Sequence, residues 1–322
     1  SRYHRQRQNS SRRDSVSNTQ TASGLSQSTN SVTIEGRQYH NDQTSTYILP
    51  KDEIEQDRLN SQHFAVKALF NGKNILDSIE KSLPGGAAVL DIGCGTGCWV
   101  MEMAVNYPEH QFTGVDLSDM FPTTIRPENA QFELINVLGG LPFPDNSFDF
   151  VNMRFMMTAF CTTEWPMIIK EIYRVLKTDG VVELMENVFP EKARSPIVEA
   201  VNQQFFEMLK ENEKEPLIST KLSSLLQEGN FKLIEKQEKS LQYKTPMNAL
   251  GRELIDCWKL AILALKPLLA KRLVQNPDTY DTLIDKYVEG LLEDQCKTKI
   301  VAYAARKMEA ETKQSTEEIS CV

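Results

Sequence analysis

The segment Asp91-Ile92-Gly93-Cys94-Gly95-Thr96-Gly97 sets three glycines on alternate positions, directly after the apolar run Ala87-Ala88-Val89-Leu90. Glycines so spaced permit a sharp strand-to-helix turn and let backbone approach a ligand closely. The helix that follows begins with unpaired N–H groups, which suit an anionic group such as a carboxylate. Asp116 closes the next apolar run. A carboxylate there accepts both hydroxyl hydrogens of a ribose. Together these residues describe a site for a nucleoside with an anionic end. The dinucleotide fingerprint is G-x-G-x-x-G, whereas the spacing here is G-x-G-x-G behind an acid, so an NAD-binding loop is the competing reading.

The elements that must hold this site can be read on both sides of it. Residues 87–90 form a short buried strand, followed after the loop by a helix over 98–106. Further strands are expected at 111–115, 131–135 and 148–152, then a helix over 165–176 stopped by Thr178-Asp179-Gly180, and a fifth strand at 181–186. That alternation builds a parallel sheet with helices on both faces. Residues 231–241 and 299–304 add two more strands. Upstream, Tyr47-Ile48-Leu49-Pro50 is extended, and Pro50 starts a helix whose stripe is Ile54, Leu59, Phe64, Ala65, Ala68 and Leu69. Downstream of Pro190 the chain turns helical, with amphipathic stretches near 196–212 and 248–275. The expected fold class is α/β: a doubly wound, Rossmann-like seven-stranded sheet with an N-terminal helical lid and a helical insertion. The expected organisation is a disordered Ser/Arg-rich tail over 1–35, a lid over 36–82, the main domain over 83–306 with its insertion at about 191–290, and a flexible tail over 307–322.

The glycine loop with its leading acid resembles the first motif of class I S-adenosylmethionine-dependent methyltransferases. Asn136-Val137-Leu138, and then Gly140-Leu141-Pro142-Phe143-Pro144-Asp145-Asn146-Ser147-Phe148-Asp149, look like that family's third and fourth motifs. Glu171-Ile172-Tyr173-Arg174-Val175-Leu176-Lys177 with Gly180 is similar to the helix and turn before its fifth strand. The resemblance runs over residues 87–187. It implies S-adenosyl-L-methionine as cofactor, held by Asp91, Gly93, Cys94, Gly95, Thr96, Gly97, Asp116 and Leu117, with Asn136 and Val137 along the adenine. The flanks Gly36-Arg37-Gln38-Tyr39-His40-Asn41, Tyr47-Ile48-Leu49-Pro50 and Arg58-Leu59-Asn60-Ser61-Gln62-His63 look like the N-terminal region of fungal methyltransferases related to the velvet-associated regulators of secondary metabolism and to the trans-aconitate type. Met120-Phe121-Pro122-Thr123 and Asn152-Met153-Arg154-Phe155 fit the same group. The last segment departs from the Asn/Asp-Pro-Pro-aromatic motif of amino-methylating enzymes, which argues against a nucleobase or amide acceptor. The resemblance therefore implies methyl transfer to a small-molecule acceptor. The alternatives are a methyltransferase-like nuclear regulator working through protein partners, and an NAD-dependent oxidoreductase.

Methyl transfer from a sulfonium is an in-line displacement with a neutral leaving group, so alignment is most of the protein's task, and a base is needed only for a nucleophile that must lose a proton. The candidates for catalytic work are His63, Tyr47 and Arg154. His63 is either a base working near neutral pH or a satisfied helix histidine. Tyr47 either covers the sulfonium or adenine or staples the helix start. Arg154, directly after a sheet strand, is placed to pair with a carboxylate, and Arg58 is the weaker candidate for the same task. Phe155, Met156, Met157, Phe160 and Trp165 either line an acceptor pocket or pack the core, and the same choice applies to Trp258, Phe205 and Phe206.

The net charge of −8 disfavours nucleic acid and anionic membrane as general partners, so neither is expected. Cysteines at 94, 98, 161, 257, 296 and 321 include no second pair that would complete a zinc site with Cys94 and Cys98, so no metal is expected. They read as free thiols of a reducing compartment, the cytoplasm or the nucleus. The run 260–265 is too short to cross a membrane.

Overall fold

The computed structural model describes residues 31–41 and 45–309. The tail expectations for 1–30 and 310–322 lie outside the described residues. The boundary expected at residue 35 moves earlier. Ser31–Ile34 (β1) pairs antiparallel with Arg37–His40 (β2). Val32, Thr33 and Ile34 favour extended backbone, and the turn Glu35-Gly36 has φ of 49° and 79°, the hand that matches strand twist in a two-residue hairpin.

The helix expected from Pro50 begins at Glu53. Pro50 instead bridges Tyr39 as extended backbone, and Asp52 is the cap. The Asp52 carboxylate accepts the Glu55 N–H at 3.0 Å and is gripped by Arg37 at 2.6 and 2.9 Å. This helix, Glu53–Leu69 (α1), is followed by the short Asp77–Glu80 (α2).

Seven strands make one sheet: Ala88–Ile92 (β3), Gln111–Asp116 (β4), Ala130–Leu134 (β5), Phe148–Arg154 (β6), Leu176–Asn187 (β7), Phe231–Gln242 (β8) and Lys297–Lys307 (β9). Their order is β5-β4-β3-β6-β7-β9-β8. The first five in that order are parallel, and β9 runs antiparallel between β7 and β8. The expected doubly wound, seven-stranded α/β sheet is the one observed. Thr178-Asp179-Gly180 does not separate helix from strand as expected. β7 already starts at Leu176, and Asp179 takes φ 60° where the register with β6 shifts.

Cys98–Asn106 (α3) packs Trp99, Val100 and Met103 with Val66 and Leu69 of α1 on one face of the sheet, against Val89, Phe112 and Phe150. Trp165–Val175 (α4) packs Ile168, Ile169 and Ile172 on the other, against Leu90, Val151 and Val182. Strand order reverses at β3, so a crevice opens above the carboxyl ends of β3 and β4. The insertion expected at about 191–290 is divided by β8. Pro196–Glu211 (α5) and Ile218–Glu228 (α6) precede that strand, and Ala249–Ala264 (α7), Lys266–Leu273 (α8) and Tyr280–Glu293 (α9) follow it. The single stretch expected over 248–275 breaks at Leu265, because Pro267 is tolerated only in the first turn of a new helix. α7 docks on the lid: Tyr39 Oη donates to Ala264 O at 2.8 Å, and Cys257 Sγ lies 3.8 Å from Arg58 O.

Candidate active site

Gly93, Gly95 and Gly97 carry the chain from β3 to α3 with φ of 71°, 54° and 77°. Gly97 needs to be glycine for two reasons. Its backbone is left-handed, and a Cβ there would sit 2.7 Å from two atoms of the Phe132 ring, which itself stacks on Phe121. As N-cap of α3 it brings no side chain to compete for the first-turn N–H groups. The Gly95 N–H donates to Asp116 Oδ2 and the Ser118 N–H to Asp116 Oδ1, both at 2.8 Å. Asp116 thus ties the loop to the end of β4, on the wall of the cleft. Burial raises its pKa above the ordinary carboxylate value, against those N–H bonds.

One cleft of about 1130 Å³, open mouth included, is walled by Asp91, Gly93, Cys94, Gly95, Thr96, Asp116, Leu117, Asn136 and Val137. Of the expected cofactor set, Gly97 stands apart: it lies behind the wall, where it shapes the turn. Asn136 Oδ1 accepts the Leu138 N–H at 3.1 Å and starts a 3-10 turn over Val137–Gly139, which brings Val137 and Leu138 to the cleft beside Ile135.

Asp91 and Arg154 line the cleft where it meets the sheet, and a row of buried polar side chains continues behind Asp91. Sheet register sets Gly114, Asp91, Asn152 and Glu183 in one row. Asn152 Nδ2 donates to Asp91 Oδ1, and Glu183 Oε2 accepts the Leu76 N–H, both at 2.8 Å. Burial raises Asp91 to about 7, opposed by the Arg154 cation and Asn152. Burial likewise raises Glu183 to about 7, opposed by the Leu76 N–H and by Arg154. Arg154 lies on the same face, 5.9 Å over the Trp99 ring, with Nη2 3.3 Å from His63 Nδ1.

A guanidinium has only donors, so His63 Nδ1 accepts from Arg154, and Nε2 carries the proton it donates to Glu102 at 2.7 Å. Burial and then the Arg154 cation pull His63 down to about 4, against the Glu102 hydrogen bond. His63 is therefore a neutral imidazole with both nitrogens engaged. This is the satisfied helix histidine of the two alternatives, and the base alternative would require Arg154 to withdraw first. Tyr47 lines the same cleft, edge-on to His40 at 5.4 Å, and burial drives its phenol pKa upward. His40 Nε2 lies 2.8 Å from Ser118 Oγ, so the hairpin and the lid dock onto the loop after Asp116.

A second cavity of about 1790 Å³ adjoins the cleft and shares Tyr47, Leu59, Gln62 and Phe155 with it. Phe155 sits at this junction with φ 59°, a conformation that costs a bulky residue about 1–3 kcal/mol. The turn is held by the Phe155 N–H donating to Met185 O at 2.8 Å and the Met156 N–H donating to Glu186 Oε1. Of the residues weighed as pocket or core, Met156 and Phe160 wall the cleft, Met157 walls the second cavity and Trp165 is core. Phe205 and Trp258 wall the second cavity, whereas Phe206 packs edge-on against Phe189 outside it. Arg58 is fully held, by Glu55 at 2.9 and 2.7 Å and by Gln62 at 3.0 Å, which removes it as a carboxylate anchor. Leu59 and Gln62, read in the sequence only as part of the lid helix and its flank, and Glu186, given no role there, join the site in the structure. Among the described residues no three His, Cys, Asp or Glu side chains are grouped to hold a metal, the cysteines are free thiols, and no helix is long and apolar enough to cross a membrane.

Residues 89–180 match the family described as methyltransferase domain. A methyltransferase, pytC of Aspergillus terreus, is 34% identical over 154 residues, which are 48% of this chain and 45% of that protein. The secondary metabolism regulator laeA of Aspergillus fumigatus is 31% identical over 215 residues, 63% of this chain and 54% of that one. The protein-methionine methyltransferase laeA of Emericella nidulans is 32% identical over 153 residues, 47% and 39% of the two chains. The chain spans about half the length of the curated relatives it matches. Glycine spacing and family match agree, and the NAD-binding alternative is set aside. Residues 89–180 thus match a methyltransferase domain, and over about half its length the chain is similar to fungal methyltransferases and regulators of secondary metabolism.

Proposed function

We propose that the chain transfers a methyl group from S-adenosylmethionine to a small-molecule acceptor. The donor set of the cleft fits the methyl donor. Asp116 puts a carboxylate on the cleft wall that suits the ribose hydroxyls, and Ile135, Val137 and Leu138 offer an apolar wall to the adenine. The uncapped start of α3 and Arg154 suit the amino-acid carboxylate, and Asp91 suits its ammonium group. When bound, the cofactor supplies an electrophilic methyl on sulfur: the sulfur–methyl bond breaks, a bond to the acceptor's nucleophile forms, and the electron pair stays on a neutral thioether.

The chain's own part is alignment and exclusion of water. His63, engaged by Glu102 and Arg154, is a positioning residue that fixes the guanidinium. Tyr47, a neutral phenol at the junction, orients the acceptor. The observation that carries the reading is that the cleft at the glycine loop meets a second cavity at Tyr47, Leu59, Gln62 and Phe155, leaving one chamber for each reactant. Calorimetric titration of the full chain with S-adenosylmethionine and S-adenosylhomocysteine tests it. A folded protein that binds neither is not a methyltransferase.

A second reading follows from the relatives, several of which are regulators of secondary metabolism and one a protein-methionine methyltransferase. There the acceptor is a protein side chain and the partner a protein, in the nucleus as the resemblance implies. Incubation with the methyl donor alone, followed by intact-mass measurement of the chain, separates the two. A methyl gained by the chain favours the second reading, and an unmodified chain favours the first.

A further inference from the structure

The second cavity differs from the cleft beside it in the chemistry of its walls. Its aromatic side is a set of rings in fixed contact: Phe205 is stacked on Phe189 at 5.9 Å and edge-on to Trp258 at 5.4 Å. Polar atoms on these walls are satisfied by one another. Trp258 Nε1 donates to Tyr287 Oη, which donates to Asn202 Oδ1, both at 2.9 Å. Arg58 is held on three nitrogens by Glu55 and Gln62. The other basic residues lining the cavity, Lys192, Arg194, Lys297 and Lys299, are solvent-exposed or half-buried.

One group breaks this pattern. Glu186 is 2% exposed and lines the cavity, and its Oε1 accepts the Met156 N–H. Its Oε2 has no protein hydrogen-bond partner and is fully buried. An orphaned buried carboxyl oxygen costs about 1–3 kcal/mol unless something pairs with it. Burial also pushes Glu186 up to about 8, against the N–H groups of Met156, Met157 and Asn187, which favours the neutral carboxylic acid, able both to donate and to accept. A neutral acid among aromatic rings does not repel an uncharged ligand, and nothing at this depth offers a carboxylate ligand a free cation.

The geometry points to a neutral, flat aromatic or conjugated molecule as the occupant of this cavity, gripped by Phe205 and Trp258 and recognised at one polar group by Glu186. The proposal rests on the methyltransferase reading for calling that occupant the methyl acceptor, and it excludes polycarboxylates from the role. Ring-on-ring contact gives affinity without a charge, and a single buried hydrogen bond sets which edge of the molecule enters. Glu186 does this while also holding the strained turn at Phe155, so selection of the acceptor and shape of the junction depend on one side chain.

The test is calorimetry on the full chain at neutral pH, with S-adenosylhomocysteine, 2-naphthol as the neutral aromatic probe, and citrate as the polycarboxylate. Ala261→Phe places a ring in the cavity, Ala261 being one of its lining residues. Glu186→Met removes the polar group, and Glu186→Gln keeps a donor and an acceptor. Expected are 2-naphthol binding by the native chain, its loss in Ala261→Phe, at least about tenfold weakening in Glu186→Met, and recovery to within about threefold in Glu186→Gln. S-adenosylhomocysteine affinity should stay within about twofold in Ala261→Phe, which leaves the turn at Phe155 untouched. Citrate binding more tightly than 2-naphthol overturns the proposal. So does a folded chain, judged by its thermal transition, that ignores 2-naphthol, or 2-naphthol affinity unchanged by Ala261→Phe. If S-adenosylhomocysteine never binds but 2-naphthol follows the variants as expected, the cavity assignment stands and the methyl-donor reading falls.

Discussion

Asp116→Ala separates a residue that only ties a loop from one that also holds a ligand. In the free protein the carboxylate serves two backbone donors, the N–H groups of Gly95 and Ser118, each at 2.8 Å. Both residues lie on the wall of the cleft, so water can replace the lost acceptor. The stability cost should be about 1–2 kcal/mol. Two ribose hydroxyls bonded to the same carboxylate are worth more. A hydrogen bond to a charged group contributes about 1.5–3 kcal/mol, and the burial that disfavours ionised Asp116 offsets part of the pair. A net loss of about 2–4 kcal/mol raises the dissociation constant of S-adenosylhomocysteine about 30- to 700-fold. Asp116→Asn should lose nearly as much, because its amide nitrogen must face one of the two N–H groups, donor against donor. Titration calorimetry reads the affinity, and thermal denaturation of the free variants reads the loop. A variant that melts earlier yet binds within about threefold of the native chain refutes the ribose role and leaves Asp116 as a loop anchor.

Gly97→Ala should destabilise the fold by about 2–5 kcal/mol, combining about 1–2 for a left-handed alanine with about 1–3 for a Cβ at 2.7 Å from Phe132. Urea denaturation checks it, and a change under about 0.5 kcal/mol means the ring simply moves aside. Glu183→Gln tests the buried row. Because folding raises Glu183 to about 7, its neutral form stabilises the fold fully below the unfolded carboxylate range, and that contribution is lost as pH rises through about 7. The amide lacks this dependence, so the variant should gain on the native chain between pH 4.5 and 8 by up to about 3 kcal/mol. Parallel stability–pH profiles would sink the idea. Arg154→Met should let His63 titrate well above its native value of about 4, since the cation facing Nδ1 is gone. An NMR titration in which His63 does not move would assign the whole depression to burial.

What could be read in the sequence is what is decided locally. Strand–helix alternation, the glycine turn and Asp116 at a strand end each follow from a few neighbouring residues, and each is found. The Asp52 cap was equally legible as Asp-x-x-Glu, but Pro50 was given precedence as a helix starter, although its neighbour Tyr39 draws it into extended backbone. The rest depends on contacts between distant segments. Glu183 and Asn152 sit in apolar strands, and only the register of β3, β6 and β7 brings them into a row with Asp91. The engagement of His63 needs Arg154, 91 positions away, and Glu102 on a different helix. The left-handed φ of Phe155 has no signature in Asn152-Met153-Arg154-Phe155.

Strand alternation explains how two chambers of opposite chemistry share one edge of the sheet. In β6, Asn152 and Arg154 point to the face covered by α1 and α3, and in β7 Glu183 joins them there through register. Glu186, three positions on, falls to the other face, among the side chains packed with α5 and α7. β6 therefore brings Arg154 to the first cleft, with Asn152 and Glu183 buried behind it, while β7 brings Glu186 to the second cavity. On the proposals above, a sulfonium ligand with an amino-acid tail would be served by the first environment and an uncharged acceptor by the second. Phe155 continues β6 at the boundary, and its left-handed turn directs the chain between the two, so the strain is located where the chemistries must be kept apart and yet remain in contact.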